Sequence, residues 1–162
     1  MSVCWTSMDT PVGRLVLTSD GAGLTGLTME PQEGRRPVGA AHRADDVLRE
    51  AVSQLDEYFA GRREVFDLPR SAPGTVFQRT VWEELVKVPF GETVSYGELA
   101  RRIGRPTAVR AVARANATNP LGIVVPCHRV IGGDGTLTGY AGGLERKRWL
   151  LAHEGALLPV GD

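Results

Sequence analysis

The 162-residue chain predicts an α+β protein: a small antiparallel sheet with one helix in residues 1–73, then a mainly helical unit in residues 74–162. Three observations carry this expectation. Apolar and polar residues alternate through the first thirty positions, the period of a half-buried strand. From Asp46 to Ala60 the apolar spacing changes to three and four, the period of an amphipathic helix. Beyond Ser71-Ala72-Pro73-Gly74, where the domain boundary is placed, helix start and stop signals recur at short intervals.

Val3 and Trp5, then Leu15 and Leu17, flank the turn-rich stretch Asp9-Thr10-Pro11-Val12-Gly13, so a hairpin is expected there. Asp20-Gly21-Ala22-Gly23 marks a second turn before a strand from Leu24 to Met29. Residues 30–43 contain Pro31, Gly34, Pro37 and Gly39 and read as a loop. Val47, Leu48, Ala51, Val52, Leu55, Tyr58 and Phe59 then form the stripe of a helix, and Gly61 stands where a left-handed C′ residue belongs.

In the second unit Thr75 and Gln78 have capping-box spacing, Phe77, Val81, Trp82 and Leu85 share a face, and Pro89 stops the helix. Ser95 and Glu98 repeat the capping-box spacing before Leu99 and Ile103, and Gly104 ends that helix. A third helix is expected from about Thr107 to Asn116. Two short helices joined by a tight glycine-containing turn form the helix-turn-helix pattern, the second being the recognition helix. The apolar run Leu121–Val125 reads as a buried strand that ends in Pro126-Cys127-His128-Arg129-Val130. Gly132-Gly133-Asp134-Gly135 is a turn. A glycine-rich loop, Gly139-Tyr140-Ala141-Gly142-Gly143, precedes a final helix from Leu144 to Glu154, closed by Gly155.

Composition narrows the function classes. The N-terminus lacks a basic region followed by an apolar run, and no stretch approaches the ~18–20 apolar residues needed to span a bilayer, so a cytoplasmic protein with no membrane partner is expected. Cys4 and Cys127 then read as two free thiols. Zero net charge argues against a generic polyanion binder. That average hides a sorting: residues 1–73 hold 8 Lys+Arg against 11 Asp+Glu, and residues 74–162 hold 11 against 8. Arg101 to Arg114 contains five arginines and no acid, enough local charge to neutralise phosphates or simply to solvate a helix face.

Cys127, preceded by proline and followed by histidine, is a candidate nucleophile. The plainer reading is a buried cysteine acting as a small hydrophobe. Against it, His128 supplies a base, and His128 and Arg129 are expected to lower the thiol pKa. Glu154 is the candidate carboxylate to orient the imidazole, a meeting that spacing alone does not establish. A zinc site built from Cys4, Cys127, His42, His128 and His153 lacks ligand spacing, and no metal is assigned.

The residues Asn119-Pro120, Pro126-Cys127-His128-Arg129-Val130, Gly139-Tyr140 and Gly142-Gly143, in that order after a helix-turn-helix, resemble the O6-alkylguanine-DNA alkyltransferases. The likeness runs through nearly all of Val76 to Leu158. It is looser in the N-terminal half, whose sheet and helix are similar to the family's ribonuclease-H-like domain. For residues 74–162 the resemblance implies a winged-helix-like DNA-binding domain.

The resemblance implies direct, single-turnover repair. Cys127 would accept the alkyl group, activated through water by His128, with Glu154 fixing the imidazole. The partner would be double-stranded DNA carrying an alkylated guanine, entered from the minor groove, with the base flipped into a pocket. Arg110 matches the arginine that replaces the flipped base. Tyr96 matches the tyrosine that rotates the 3′ phosphate and donates a proton to the leaving guanine. Ala108 and Ala111 allow close approach to the groove, and Thr107 and Arg129 join them as DNA contacts. Asn119 matches the hinge between the helix-turn-helix and the cysteine segment. Pro126, Tyr140, Ala141 and Gly142 wall the guanine pocket, and Lys147 assists near the guanine oxygen. Ala141 stands where some members carry serine, which leaves selectivity for bulky groups open. No cofactor is implied, and the zinc of some relatives is not carried over. The protein is expected to be a monomer; clustering of copies along DNA and action on O4-alkylthymine stay open.

Two other classes remain at this point. A non-catalytic sensor of alkylated bases would lack the reactive cysteine that is present here. A cysteine hydrolase using Cys127, His128 and Glu154 would need an oxyanion hole and leaves the helix-turn-helix without a purpose.

Overall fold

The computed structural model describes residues 4–30, 41–42, 44–137, 139–140 and 142–156. Two compact units, Met1–Pro73 and Gly74–Asp162, divide the chain.

In the first unit β1 (Cys4–Thr10), β2 (Gly13–Ser19), β3 (Leu24–Met29) and β4 (Ala41–His42) form one sheet in the order β3-β2-β1-β4. The hairpin expected around Pro11-Val12 is present, with Thr10 opposite Gly13 and Cys4 opposite Ser19. As a strand flanked on both sides, β2 buries Leu15, Val16 and Leu17 in succession instead of alternating. The loop expected over residues 30–43 needs correction at one end: Ala41–His42 forms β4, parallel to β1 at Cys4. Two residues held by one edge register carry no periodicity of their own. Residues 31–40 lie outside the described set.

Helix α1 (Asp46–Phe59) packs on β1 and β2 through its apolar stripe, with Leu48, Ala51, Leu55 and Tyr58 fully buried. Its N-cap is Asp45, whose carboxylate accepts from Leu48 N–H at 2.8 Å and from the Ser19 hydroxyl at 2.7 Å, fastening the helix start to the end of β2. Gln54 exchanges two hydrogen bonds with the backbone of Asp67, at 2.9 and 3.0 Å, and so holds the outgoing segment. That segment runs beside Leu24, and Gly23 is obligatory there because a Cβ would sit 2.9 Å from the Pro69 carbonyl oxygen.

The second unit contains α2 (Val76–Val86), β5 (Val94–Ser95), α3 (Tyr96–Arg102), α4 (Val109–Ala117), a 3₁₀ turn (Cys127–Arg129), β6 (Val130–Ile131) and α5 (Leu144–His153). The Thr75–Gln78 capping box is complete. Of the face expected on α2, Val81, Trp82 and Leu85 are buried and Phe77 is half-buried. The Trp82 indole donates to the Ala115 carbonyl at 2.8 Å and locks α2 to α4. At α3 only half the expected box forms: Ser95 accepts from Glu98 N–H, but the Glu98 carboxylate turns to Arg101 and Arg102. Helix α4 starts two residues later than expected, leaving Thr107 in the preceding turn. Gly104 and Gly155 take the left-handed conformation beyond α3 and α5.

The expected strand Leu121–Val125 is instead a tight turn, although Leu121, Ile123, Val124 and Val125 are buried as anticipated. Ile123 has φ of 72°, a conformation that β-branched residues avoid. Asn119 accounts for it: its amide oxygen accepts from Leu121 N–H at 3.0 Å and its amide nitrogen donates to the Val125 carbonyl at 2.8 Å, clamping both ends of the turn. Among the described residues no helix is long and apolar enough to cross a membrane.

Candidate active site

The 3₁₀ turn places Cys127, His128 and Arg129 on consecutive positions of a structure with three residues per turn, so the three side chains leave in three directions. All three are buried. The turn runs directly into β6, which is paired with β5 at the start of α3, so the cysteine segment is anchored to the first helix of the helix-turn-helix.

His128 and Glu154, 26 positions apart, meet: Nε2 lies 2.8 Å from a Glu154 carboxylate oxygen, with both side chains fully buried. Donation from Nε2–H to the carboxylate makes Nδ1 the lone-pair nitrogen of the ring. That atom is buried, with no hydrogen-bond partner among the described residues. Burial holds His128 below its ordinary pKa, against the opposing pull of Glu154, so the resting imidazole is neutral. For Glu154 burial pushes the pKa up, yet the hydrogen bond from His128 and the hydrogen bonds and charge of Arg129 overcome it and bring it to about 2.

The thiol departs from the sequence expectation. Burial pushes the Cys127 pKa up, and the groups that oppose burial are Asn119, Lys147 and Tyr140, not His128 and Arg129. Cys127 therefore rests as a protonated thiol, and a thiolate forms only as a base removes the proton. Burial lowers Lys147 to about 8; its ammonium donates to the Val130 carbonyl and adds positive potential at the sulfur.

Arg129 is a second correction. Assigned to DNA contact from the sequence, it is 5% exposed and committed internally. It donates to Glu154 Oε1 at 2.8 Å, to Glu154 Oε2 at 3.0 Å and to the Val88 carbonyl at 2.7 Å, and lies over the Phe90 ring. Buried and so engaged, this guanidinium is not presented to a phosphate.

The other candidates fall in two groups. Asn119, Tyr140 and Lys147 act on the Cys127 sulfur, Pro126 is buried beside it in the chain, and Gly142 is half-buried ahead of α5. Ala141 lies outside the described residues. Tyr96 opens α3 and is half-buried; Thr107, Arg110 and Ala111 are exposed and Ala108 half-buried, all on or just before α4. Arg101 and Arg102 pair with Glu98, whereas Arg105, Arg110 and Arg114 have no ion-pair partner among the described residues. One residue went unnoticed in the sequence: Asn116, buried on α4, donates to the Cys127 carbonyl at 3.4 Å. Its only signal was a polar residue on the apolar face of a short helix.

Fold and site define a two-unit helix-turn-helix protein with a buried cysteine-histidine-carboxylate centre. Residues 76–156 match the family model for the DNA-binding domain of 6-O-methylguanine DNA methyltransferase, and residues 3–71 match the model for its ribonuclease-like domain. The chain belongs to the 6-O-methylguanine DNA methyltransferase family. It is 49% identical over 148 residues to the methylated-DNA–protein-cysteine methyltransferase of Mycobacterium leprae, covering 91% of this chain and 90% of the relative. It is 47% identical over 156 residues to the enzyme of the same name from Mycobacterium tuberculosis, covering 95% and 93%. The crystal structure of Mycobacterium tuberculosis OGT in complex with DNA superposes with a TM-score of 0.86 at 46% identity, covering 97% of this chain and 96% of that one.

Proposed function

We propose that this chain repairs alkylated DNA by moving the alkyl group from O6 of guanine to the sulfur of Cys127, once per molecule. The observation that carries the reading is a buried thiol next in the chain to a neutral histidine, itself hydrogen-bonded to an ionised Glu154. DNA is the substrate-bearing partner, in keeping with the DNA-bound relative.

The chemistry follows from the protonation states. Nδ1 of His128 takes the thiol proton through a water, Glu154 stabilises the imidazolium, and Asn119, Tyr140 and Lys147 stabilise the sulfur anion. Sulfur then attacks the alkyl carbon, the S–C bond forms as the C–O6 bond breaks, and the guanine leaves with a proton from Tyr96. The imidazolium proton, passed to Tyr96 through solvent, closes the balance. The product is a thioether without an electrophilic carbonyl, so water does not regenerate the thiol.

A buried sulfur is reached only by a base taken out of the stack. Arg110, exposed on α4, fills the space that base leaves, and the small Ala108 and Ala111 let the helix approach the minor groove. Asn119 serves as the hinge between α4 and the cysteine turn, and Tyr140 and Gly142 wall the guanine pocket.

Intact-mass and peptide mapping after incubation with duplex DNA carrying O6-methylguanine tests this. One added methyl group on Cys127, and none in Cys127→Ala, is the expected result. Binding without a mass change would mark a sensor, and an unaltered lesion together with hydrolysis of esters would mark a cysteine hydrolase.

A further inference from the structure

The transfer chemistry leaves one fully engaged buried cation without a task. Arg129 takes both oxygens of Glu154, at 2.8 and 3.0 Å, and the same carboxylate also receives His128. A third donor goes to the Val88 carbonyl, and the Phe90 ring lies against the guanidinium. A fork of this kind fixes a carboxylate in one orientation more firmly than a point charge does.

We infer that Arg129 is a positioning residue for the transfer reaction: by holding both oxygens of Glu154, it keeps His128 a neutral imidazole able to receive the Cys127 proton. The inference rests on the alkyl-transfer reading and deepens it.

Charge balance gives the reason. The ionisable groups acting on His128 are Glu154, Arg129 and Lys147, and beside it in the chain stands the Cys127 thiol. A lone buried carboxylate 2.8 Å from an imidazole would hold a proton on the ring, because an uncompensated buried anion is costly. The base would then be filled before the thiol could use it. With Arg129 in place the carboxylate is already neutralised, and it still accepts from Nε2–H, which keeps Nδ1 free of its proton. Arg129 and Lys147 each add repulsion against an imidazolium. Glu154 therefore orients the ring without charging it at rest.

The test follows the His128 ring nitrogens by NMR across pH in the isotopically labelled full chain, alongside the pH dependence of the reaction with free O6-benzylguanine. In Arg129→Met the ring midpoint should rise by about one pH unit or more, and the rising limb of the rate profile should move to higher pH with it. In Arg129→Lys, which keeps the charge but loses the fork, both should rise by less. A folded Arg129→Met protein whose ring midpoint stays put or falls would overturn the inference, even if its rate or stability drops. If Arg129→Met does not fold, an unchanged midpoint in Arg129→Lys overturns it. The ring titration needs no substrate: wild-type protein that takes no methyl group would refute the transfer reading and leave the role of Arg129 to be judged by the titration alone.

Discussion

Glu154 is shared by a base and a cation, and that sharing makes it the residue whose ionisation matters most for stability. Its folded pKa of about 2 lies below the ordinary 4.5, so the stability it contributes is present above pH 4.5 and is lost as pH falls from there towards 2. Denaturant midpoints measured between pH 7 and pH 2.5 should fall through that window in the wild type. Glu154→Gln should flatten the dependence there and lower stability at pH 7 by roughly 3–5 kcal/mol, because Arg129 is left buried without its counter-charge. A Glu154→Gln protein with unchanged stability at pH 7 would show that the ion pair is balanced by its own desolvation. At this level the sequence was partly legible. Cys127 and His128 adjoin, and Glu154 stands at the end of the last helix, but only the fold brings that carboxylate to the imidazole. The misreading of Arg129 has a physical cause: neighbours in sequence are not neighbours in space on a 3₁₀ turn, and the arginine points away to the residue that caps α5.

The elements show which signals survive packing. Caps and glycine stops depend on local backbone geometry, and Thr75, Gln78, Gly61, Gly104 and Gly155 all stand where the chain itself suggests. Buried runs are ambiguous. Leu121–Val125 has a strand's composition, but Asn119 closes it into a turn, and no hydrophobic pattern reveals a clamp made by one side chain. For α4, the proposed role of the exposed Arg110 is to fill the gap left by an everted base. Arg110→Ala should slow repair of O6-methylguanine in duplex DNA by roughly tenfold or more, an energy of ~1.4 kcal/mol, and leave the reaction with free O6-benzylguanine nearly unchanged, since only the duplex requires flipping. Equal slowing on both substrates would remove Arg110 from that role.

Across the whole molecule the charge that cancels in total is divided between the two units, with 8 Lys+Arg against 11 Asp+Glu in residues 1–73 and 11 against 8 in residues 74–162. The excess of cations thus accompanies the unit that carries both the helix-turn-helix and the cysteine. The same unit contains Cys127 and the buried network of His128, Glu154 and Arg129. Under the proposed transfer the protein spends itself: the thiol that takes the alkyl group is the thiol it loses. Pre-steady-state titration settles the matter. With duplex O6-methylguanine in several-fold excess, the number of lesions removed should equal the number of protein molecules and then stop, with Cys127 fully methylated. Continued removal after every chain has reacted once, or repair with Cys127 still unmodified, would contradict the account.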